Sequence, residues 1–256
     1  MHAYYNENNK FAAQWLRSLI EAGEIAAGDV DDRSITEVKP DEIRGYFQHH
    51  FFAGIGGWSL ALRLAGWPDD RPVFTGSCPC QPFSQAGQQR GSDDERHLWP
   101  TLFRLIRELR PATAFGEQVA GAAGYAWWDH VAADLESAGY AAAAADLPAA
   151  GAGGSHARAR LYWVATNGEG HNWQAHDLLE SGRERRAPLS AGGLSGLEIH
   201  GGWWQQDGRI ERRPTIVRNH DGLSAILAGF GNAIVPQLAS RFVMACSGVP
   251  IFVAGV

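Results

Sequence analysis

The chain has 256 residues, of which 45% are hydrophobic, so it can bury a full core and most of it is not expected to be disordered. Its three cysteines are too few for a secreted disulfide framework, and no stretch approaches the roughly 20 apolar residues that span a bilayer. The net charge of −6 gives no support to nucleic-acid binding over the whole surface, and the polar start predicts a cytoplasmic protein.

Residues 1–165 alternate between short strand patterns and amphipathic helix patterns, which predicts an α/β fold with helices on both faces of a sheet. The segment AYYNE predicts a strand. The helix after it is expected to carry Phe11, Trp15 and Leu19 as one apolar stripe and to end at Gly23. AGDVDD then predicts an edge strand, and RSITEV predicts a connection.

The clearest strand-to-turn pattern is YFQHHFFAGIGG, which opens into a helix over WSLALRLAGW. Further strands are predicted in PVFTGSC, ATAFGEQV and RLYWVAT, with helices in LWPTLFRLIREL and WWDHVAADLESAG. The alanine run at residues 141–145 predicts a passage from helix to strand. After Thr166 the periodicity weakens, which predicts a small irregular domain or long insert, and GFGNAIVPQLASRFVMACSG returns to a helix.

The glycine segment FAGIGG at residues 52–57 allows close backbone approach to a ligand at the end of a strand. It lacks the ending of a phosphate loop and the dinucleotide spacing, so an adenosine-type ligand without a phosphate chain fits better. Such a ligand needs an acid for its ribose hydroxyls at a neighbouring strand end. Glu7 and Asp29 are the upstream candidates, although an ordinary solvated carboxylate is the simpler interpretation of each one alone.

Two cysteines, Cys78 and Cys80, are separated by one proline, and the third is Cys246. A zinc site would need a second pair of ligands, and the single proline strains closure of a redox disulfide. A nucleophile instead needs a thiolate at a strand end and a glycine-bearing loop that closes over the substrate. The sequence offers both.

In that setting, PCQPFSQAG at residues 79–87 resembles the nucleophile motif of the cytosine-C5 DNA methyltransferases, in particular small prokaryotic or phage-type members. Further segments resemble other motifs of that family: FAGIGG, GEQV (116–119), SHARARLYWVA (155–165), RRPTIV (212–217) and GFGNAIVP (229–236). The resemblance implies a Rossmann-like S-adenosylmethionine-dependent methyltransferase sheet with a small irregular target-recognition region. It divides the chain into a catalytic cofactor-binding domain (1–166), that region (167–213) and a C-terminal segment returning to the catalytic domain (214–256).

The resemblance also implies roles for individual residues. Cys80 would be the nucleophile that attacks cytosine C6, with Cys78 as a bystander. Glu117 would hold and protonate the ring, and Arg158 and Arg160 would lie near the base carbonyl and the phosphate. The residues implied for S-adenosylmethionine are Glu7, Asp29, Phe52, Gly54, Gly56, Pro79 and Asn232. Double-stranded DNA would be contacted by Gln81, Ser84, Arg183, Arg185 and Arg186.

Three features depart from the family pattern. Gln118 stands where the family has Asn, which puts the local support of Glu117 in question, and His156 stands where the family has Gln. The order of motifs is permuted, because the family places the ribose acid and the adenine-contacting Asp after the glycine motif. Here the matching segments, with Glu7 and Asp29, come before it.

The reading of DNA is expected to depend on the arginine-rich stretch. Residues 156–218 contain nine arginines, which can meet phosphates, although solvated surface arginines explain the composition equally well. The interval from 167 to 213 is short, so we expect a short recognition sequence and a flipped base covered by a loop over residues 84–96. Trp203, Trp204 and Gln205 are further candidates, with a small aromatic core as the simpler interpretation of the tryptophans.

Other functions remain as alternatives at this point. They are a relative acting on RNA, which lacks support because its Cys-Phe-Thr signature is missing; the same nucleophile with a different one-carbon donor; a catalytically silent DNA-binding relative; and a nicotinamide oxidoreductase. The leading prediction is a monomeric, metal-free enzyme without a membrane anchor. Its biological role would be restriction protection or modification of a viral genome.

Overall fold

The computed structural model describes residues 2–79, 98–148, 159–168 and 234–247, together with the backbone of 203–206 and 209–212. Seven strands form one mixed sheet in the spatial order β2-β1-β3-β4-β5-β7-β6. They are β1 (Ala3–Asn6), β2 (Gly28–Asp31), β3 (Gln48–Phe51), β4 (Val73–Gly76), β5 (Thr113–Val119), β6 (Ala141–Pro148) and β7 (Ala159–Thr166). β1 to β5 are parallel, and β7 runs antiparallel to both of its neighbours.

Helices cover both faces of the sheet, which confirms the predicted Rossmann-like α/β fold. They are α1 (Lys10–Glu21), α2 (Pro40–Ile43), α3 (Gly57–Leu64), α4 (Trp99–Leu109), α5 (Ala122–Ser137) and α6 (Pro236–Cys246), with a 3₁₀ turn at Ile35–Glu37. One face carries α2, α4 and α5, and the other carries α1, α3 and α6. Among the helices of the described ranges, none has the length and apolar character needed to cross a membrane.

The carboxyl ends of β1, β3, β4 and β5 lie along one edge of the sheet, because these strands are parallel neighbours. Glu7, the glycine turn (residues 52–57), Cys78 and Glu117 all lie at or near those ends. β1, which ends just before Glu7, lies beside β3, the strand that leads into the glycine turn at residues 52–57. β1 precedes β3 in the chain. This is the arrangement that the permuted order of motifs requires, and the chain crosses from β2 to β3 through the 3₁₀ turn and α2.

Helix α1 buries a different side from the one predicted. Its buried residues are Ala12, Ala13 and Leu16, whereas Phe11 is 40% exposed and Trp15 is 38% exposed. Small alanine side chains let the helix approach the sheet closely, and Leu16 then fills the space against Tyr5 and Ile25. The predicted stripe was therefore wrong for Phe11 and Trp15, whereas Leu19 packs against the core as expected. The helix itself, with Asn9 as its N-cap, and the positive φ of Gly23 are also as expected.

The alanine run was also predicted wrongly, because it forms most of β6. This strand lies at the edge of the sheet and pairs with β7 along its whole length, from Ala141 opposite Thr166 to Pro148 opposite Ala159. Alanine has low strand propensity, so pairing with β7 decides the conformation here.

Within the described ranges, three elements follow the large sheet in the chain. β8 (Trp203–Gln206) and β9 (Arg209–Arg212) form an antiparallel pair within the interval assigned to target recognition. Helix α6 packs beside α3, where Phe242 meets the rings of Phe115 and Tyr162. The C-terminal segment thus reaches the main sheet, and the boundaries of the three-part division remain a prediction.

Candidate functional site

The glycine turn between β3 and α3 depends on a left-handed backbone. Phe52, Gly54 and Gly56 have φ values of 52°, 56° and 82°. The turn is tied to β1 because the Ala53 N–H donates to the Asn6 carbonyl at 3.0 Å, and Gly56 then caps α3. Phe52 is unusual here, since an aromatic residue rarely adopts positive φ.

Glu7 joins the end of β1 to the glycine turn. One carboxylate oxygen accepts from the Gly54 N–H at 2.8 Å, and the other accepts from the Asn9 N–H at 2.8 Å. A Cβ atom built on Gly54 would have no neighbour closer than the Phe52 carbonyl at 4.0 Å, so the turn faces open space beside the acid. An acid next to accessible backbone is the donor and acceptor set that a ribose needs, so these residues fit an adenosine-type cofactor.

Asp29 lies on β2, on the face of the sheet that carries α2. It stands two residues before the end of β2, and its carboxylate accepts a hydrogen bond from the Tyr46 hydroxyl at 2.7 Å. With Tyr4 and Asp31 it lines an open groove of about 430 Å³ on the α2 side. The structure therefore brings Glu7 and the glycine turn together, and it places Asp29 one strand further out.

The sequence Cys78-Pro79-Cys80, here called the cysteine segment, begins two residues after Gly76, the last residue of β4. Cys78 is buried, and burial raises the pKa of its thiol, so the group stays protonated and unreactive at neutral pH. This environment suits the bystander role expected for Cys78. Pro79, the next residue, is exposed at the start of the segment that continues into Cys80.

Glu117 is buried near the carboxyl end of β5 and forms an ion pair with Arg160 on β7. The distance from Glu117 Oε1 to Arg160 Nε is 2.7 Å. The β4–β5 register pairs Thr75 with Phe115, so Glu117 lies level with Ser77, three residues before Cys80. The structure thus brings together two of the four predicted catalytic residues, at the strand end that precedes the third.

Gln118 connects β5 with the backbone that follows β4. Its Nε2 donates to the Cys78 carbonyl at 3.5 Å, a long hydrogen bond, and its Oε1 accepts from the Val119 N–H at 2.9 Å. The side chain is buried. The departure from the family Asn is therefore accommodated: the longer side chain reaches from β5 to the backbone of the cysteine segment.

Several predicted site residues lie outside the described ranges. They are Cys80, Gln81, Ser84, Arg158, Arg183, Arg185, Arg186 and Asn232. Ile234, two residues after Asn232, is described, and a Cβ built on Gly57 would meet its Cγ1 at 2.8 Å. The described end of the last glycine motif, at Ile234, therefore packs against the start of α3. Within the described ranges, no group of three His, Cys, Asp or Glu side chains is arranged to hold a metal.

Sequence reasoning missed Trp58, the second residue of α3. Its indole Nε1 donates to the Ser77 hydroxyl at 3.0 Å, immediately before Cys78. A large aromatic residue directly after a glycine turn was the available signal, because such a position faces the neighbouring strand ends.

Residues 67–189 match the family model described as C-5 cytosine-specific DNA methylase. The Type II methyltransferase M.NgoMIV of Neisseria gonorrhoeae is 35% identical over 108 residues, which cover 41% of this chain and 35% of that protein. The Type II methyltransferase M.HhaI of Haemophilus parahaemolyticus is 28% identical over 119 residues, covering 32% of this chain and 36% of that protein. The chain thus spans about a third of the length of these two relatives.

Among solved structures, the S. pombe Dnmt2 methyltransferase is similar with a TM-score of 0.43 and 15% identity. The matched region covers 93% of this chain and 70% of that one.

Proposed function

We propose that this chain is a member of the C-5 cytosine-specific DNA methylase family, whose model matches its residues 67–189, and that it methylates C5 of cytosine in double-stranded DNA. The methyl donor is S-adenosylmethionine, and the base leaves the duplex to react. The observation that carries the proposal is the buried Glu117–Arg160 pair, which lies beside the strand end that leads to the Cys78-Pro79-Cys80 segment.

The residues of the chain have complementary tasks in this reaction. The Cys80 thiolate forms a bond to C6 of cytosine, which moves electron density onto C5 and makes that carbon nucleophilic. Glu117 hydrogen-bonds N3 and the exocyclic amine and so stabilises the altered ring, while Arg160 holds the Glu117 side chain in place. Once C5 carries the methyl group, loss of the C5 proton to solvent and departure of the Cys80 thiolate from C6 restore the aromatic ring and regenerate the nucleophile.

The cofactor when bound supplies an electrophilic methyl group on sulfur. Glu7 and the backbone around Gly54 would hold its ribose, because the acid and the open turn adjoin at the edge of the sheet. Phe52, Gly56, Pro79 and the segment of Asn232 would complete the site. Asp29 would contact the adenine from the neighbouring strand.

Recognition of DNA would fall to residues 167–213, with Gln81 and Ser84 at the target base. The β8–β9 pair offers a compact platform there, and Arg183, Arg185 and Arg186 would meet phosphates or base edges. So short an interval favours a short target sequence. We expect the protein to act as a monomer in the cytoplasm, in restriction protection or phage modification.

Trapping with a duplex that contains 5-fluorocytosine tests the proposal, because fluorine at C5 blocks release of the enzyme. With S-adenosylmethionine, the wild-type protein is expected to form a covalent adduct, and Cys80→Ala is expected to form none. Cys78→Ala is the matched control, since it removes a buried thiol two residues away, and it is expected to retain the adduct. An adduct formed by Cys80→Ala, or none formed by the wild type, contradicts the proposed mechanism.

The product base distinguishes the remaining alternatives. Mass spectrometry of nucleosides from modified DNA is expected to show 5-methylcytosine, and a heavier C5 substituent would indicate a different one-carbon donor. Bisulfite sequencing of DNA from cells that express the protein would give the target sequence. Unmodified DNA in both assays would favour a silent DNA-binding relative.

A further inference from the structure

The root of the cysteine segment is held from two sides by side chains. From α3, the Trp58 indole Nε1 donates to the Ser77 hydroxyl at 3.0 Å. From β5, Gln118 Nε2 reaches the carbonyl of the next residue, Cys78, at 3.5 Å. Consecutive residues just before Pro79 and Cys80 are therefore attached to two separate elements of the sheet. The Trp58–Ser77 bond is the shorter of the two attachments.

Trp58 is well placed to hold a fixed position. It is buried, its ring stacks on Phe115 of β5 with centroids 6.1 Å apart, and the edge of Tyr162 of β7 lies 6.0 Å away. Rings on two strands thus fix the plane of the indole, and the N–H has a defined direction. The hydrogen bond to Ser77 consequently holds the start of the segment after β4 in a fixed position relative to the sheet.

Trp58 also belongs to the helix that begins at the glycine turn, directly after Gly56 and Gly57. The bond to Ser77 therefore links the helix of the proposed cofactor turn to the residue that stands three positions before Cys80 in the chain. A thiolate, a general acid and a methyl donor must be held within a fraction of an ångström of the reactive geometry, and a misplacement of about 1 Å can cost about 100-fold in rate.

We propose that Trp58 and Ser77 are positioning residues for Cys80: the indole–hydroxyl hydrogen bond fixes the start of the cysteine segment relative to the cofactor turn. This inference rests on the proposed function. Neither residue contacts the reacting atoms in this account. Both act through the backbone of the segment, so their loss slows covalent addition and leaves the cofactor site intact.

The test uses the full chain and measures the rate of adduct formation with the 5-fluorocytosine duplex at saturating S-adenosylmethionine, beside the dissociation constant of the cofactor. Ser77→Ala is expected to slow adduct formation by about 10-fold or more. The dissociation constant is expected to change by less than about twofold, because the glycine turn and Glu7 are untouched. Ser77→Thr keeps the hydroxyl and is expected to recover most of the rate.

Trp58→Phe removes the donor, and the double variant with Ser77→Ala is expected to be no slower than the slower single variant, because both lose one bond. The matched control is Trp67→Phe. The Trp67 indole is also buried, on the same face, and donates to the Arg71 carbonyl at 3.1 Å, away from the segment. This variant loses an equivalent hydrogen bond and is expected to form the adduct at the wild-type rate.

Three results would overturn the inference. They are wild-type rates for Ser77→Ala, an equal slowing in Trp67→Phe, or a weakened cofactor affinity that accounts for the slower rate. If Ser77→Ala unfolds, Trp58→Phe beside Trp67→Phe carries the same comparison, because it removes the donor of the same hydrogen bond. A wild-type protein that forms no adduct contradicts the proposed function itself, whereas a normal wild-type rate with a normal Ser77→Ala rate contradicts the positioning role alone.

Discussion

Glu7 combines a structural contact with its proposed cofactor role, and its carboxylate can be tested by substitution. Glu7→Ala is expected to raise the dissociation constant of S-adenosylmethionine by about 10-fold to 100-fold, since a charge-assisted hydrogen bond to the ribose is lost. Isothermal titration calorimetry measures this dissociation constant. Asn9→Ala is the control, because it removes the cap of α1 and leaves the acid in place. Equal affinities for Glu7→Ala and the wild type would remove Glu7 from the site.

Position 116 requires glycine because of a neighbouring indole. A Cβ on Gly116 would lie 2.2 Å from ring atoms of Trp163 and 2.5 Å from the Gly76 carbonyl oxygen. Gly116→Ala is expected to lower the free energy of unfolding by about 1–3 kcal/mol through overpacking, as measured by urea denaturation. With Trp163→Phe in the background, the loss is expected to be smaller. An undiminished loss in the double variant would assign the cost to the Gly76 backbone instead.

Helix α1 shows how two apolar side chains on one helix differ in their contribution to stability. Leu16 is buried in the core with Tyr5 and Ile25, whereas Phe11 is exposed beside Trp15 with ring centroids 6.3 Å apart. Leu16→Ala is expected to cost about 2–5 kcal/mol of unfolding free energy, and Phe11→Ala less than about 1 kcal/mol. Urea denaturation of the two variants compares them. A larger loss of unfolding free energy for Phe11→Ala than for Leu16→Ala would show that the predicted stripe contributes more to stability than the observed buried side.

The strands that carry the site could be predicted from the sequence because glycine turns and apolar runs mark their ends. The turn after β3 and the strand before Cys78 are examples. The buried side of α1 could not be predicted, because helical periodicity gives an apolar stripe but not the partner that covers it. The β6 strand was missed because a run of alanines lacks the alternation of a strand, and its pairing with β7 supplies what local propensity does not.

The candidate site was predictable to a similar degree. Motif residues at strand ends were expected to meet at one edge, and Glu7 with Gly54 does so. The ion pair between Glu117 and Arg160 follows from the antiparallel β5–β7 register, which pairs Val119 with Arg160 and cannot be read from spacing along the chain. The contact of Trp58 with Ser77 depends in the same way on how α3 packs over β4.

At the scale of the whole molecule, two adjacent histidines in β3, an interior strand of the sheet, make stability depend on pH. Burial lowers the pKa of His49 to about 4 and that of His50 to about 3, from 6.5. Between pH 6.5 and about 4 the unfolded chain binds these protons and the folded chain does not. The free energy of unfolding therefore keeps its full value above pH 6.5 with respect to these two groups. It falls as the pH drops below 6.5, by about 1.4 kcal/mol per pH unit for each histidine.

Urea denaturation at pH 7.5, 6.5 and 5.5 measures this dependence. His50→Gln is expected to be less stable at pH 7.5, because the contact with Thr75 changes, and to lose less stability on acidification than the wild type. His130 is exposed on α5, so His130→Gln is expected to keep the wild-type slope. Equal stability of the wild type at pH 7.5 and 5.5 would show that His49 and His50 are protonated without unfolding.

The order of strands in the sheet also affects how the protein is made. On the ribosome, the β1-α1-β2 unit is complete before Gln48–Phe51 is synthesised, although β3 is the strand that must pair with β1. During that interval the inner side of β1 is an open edge with unpaired backbone groups, which other chains can pair with. Newly made protein can therefore pair with other chains along that side until β3 is made and covers it.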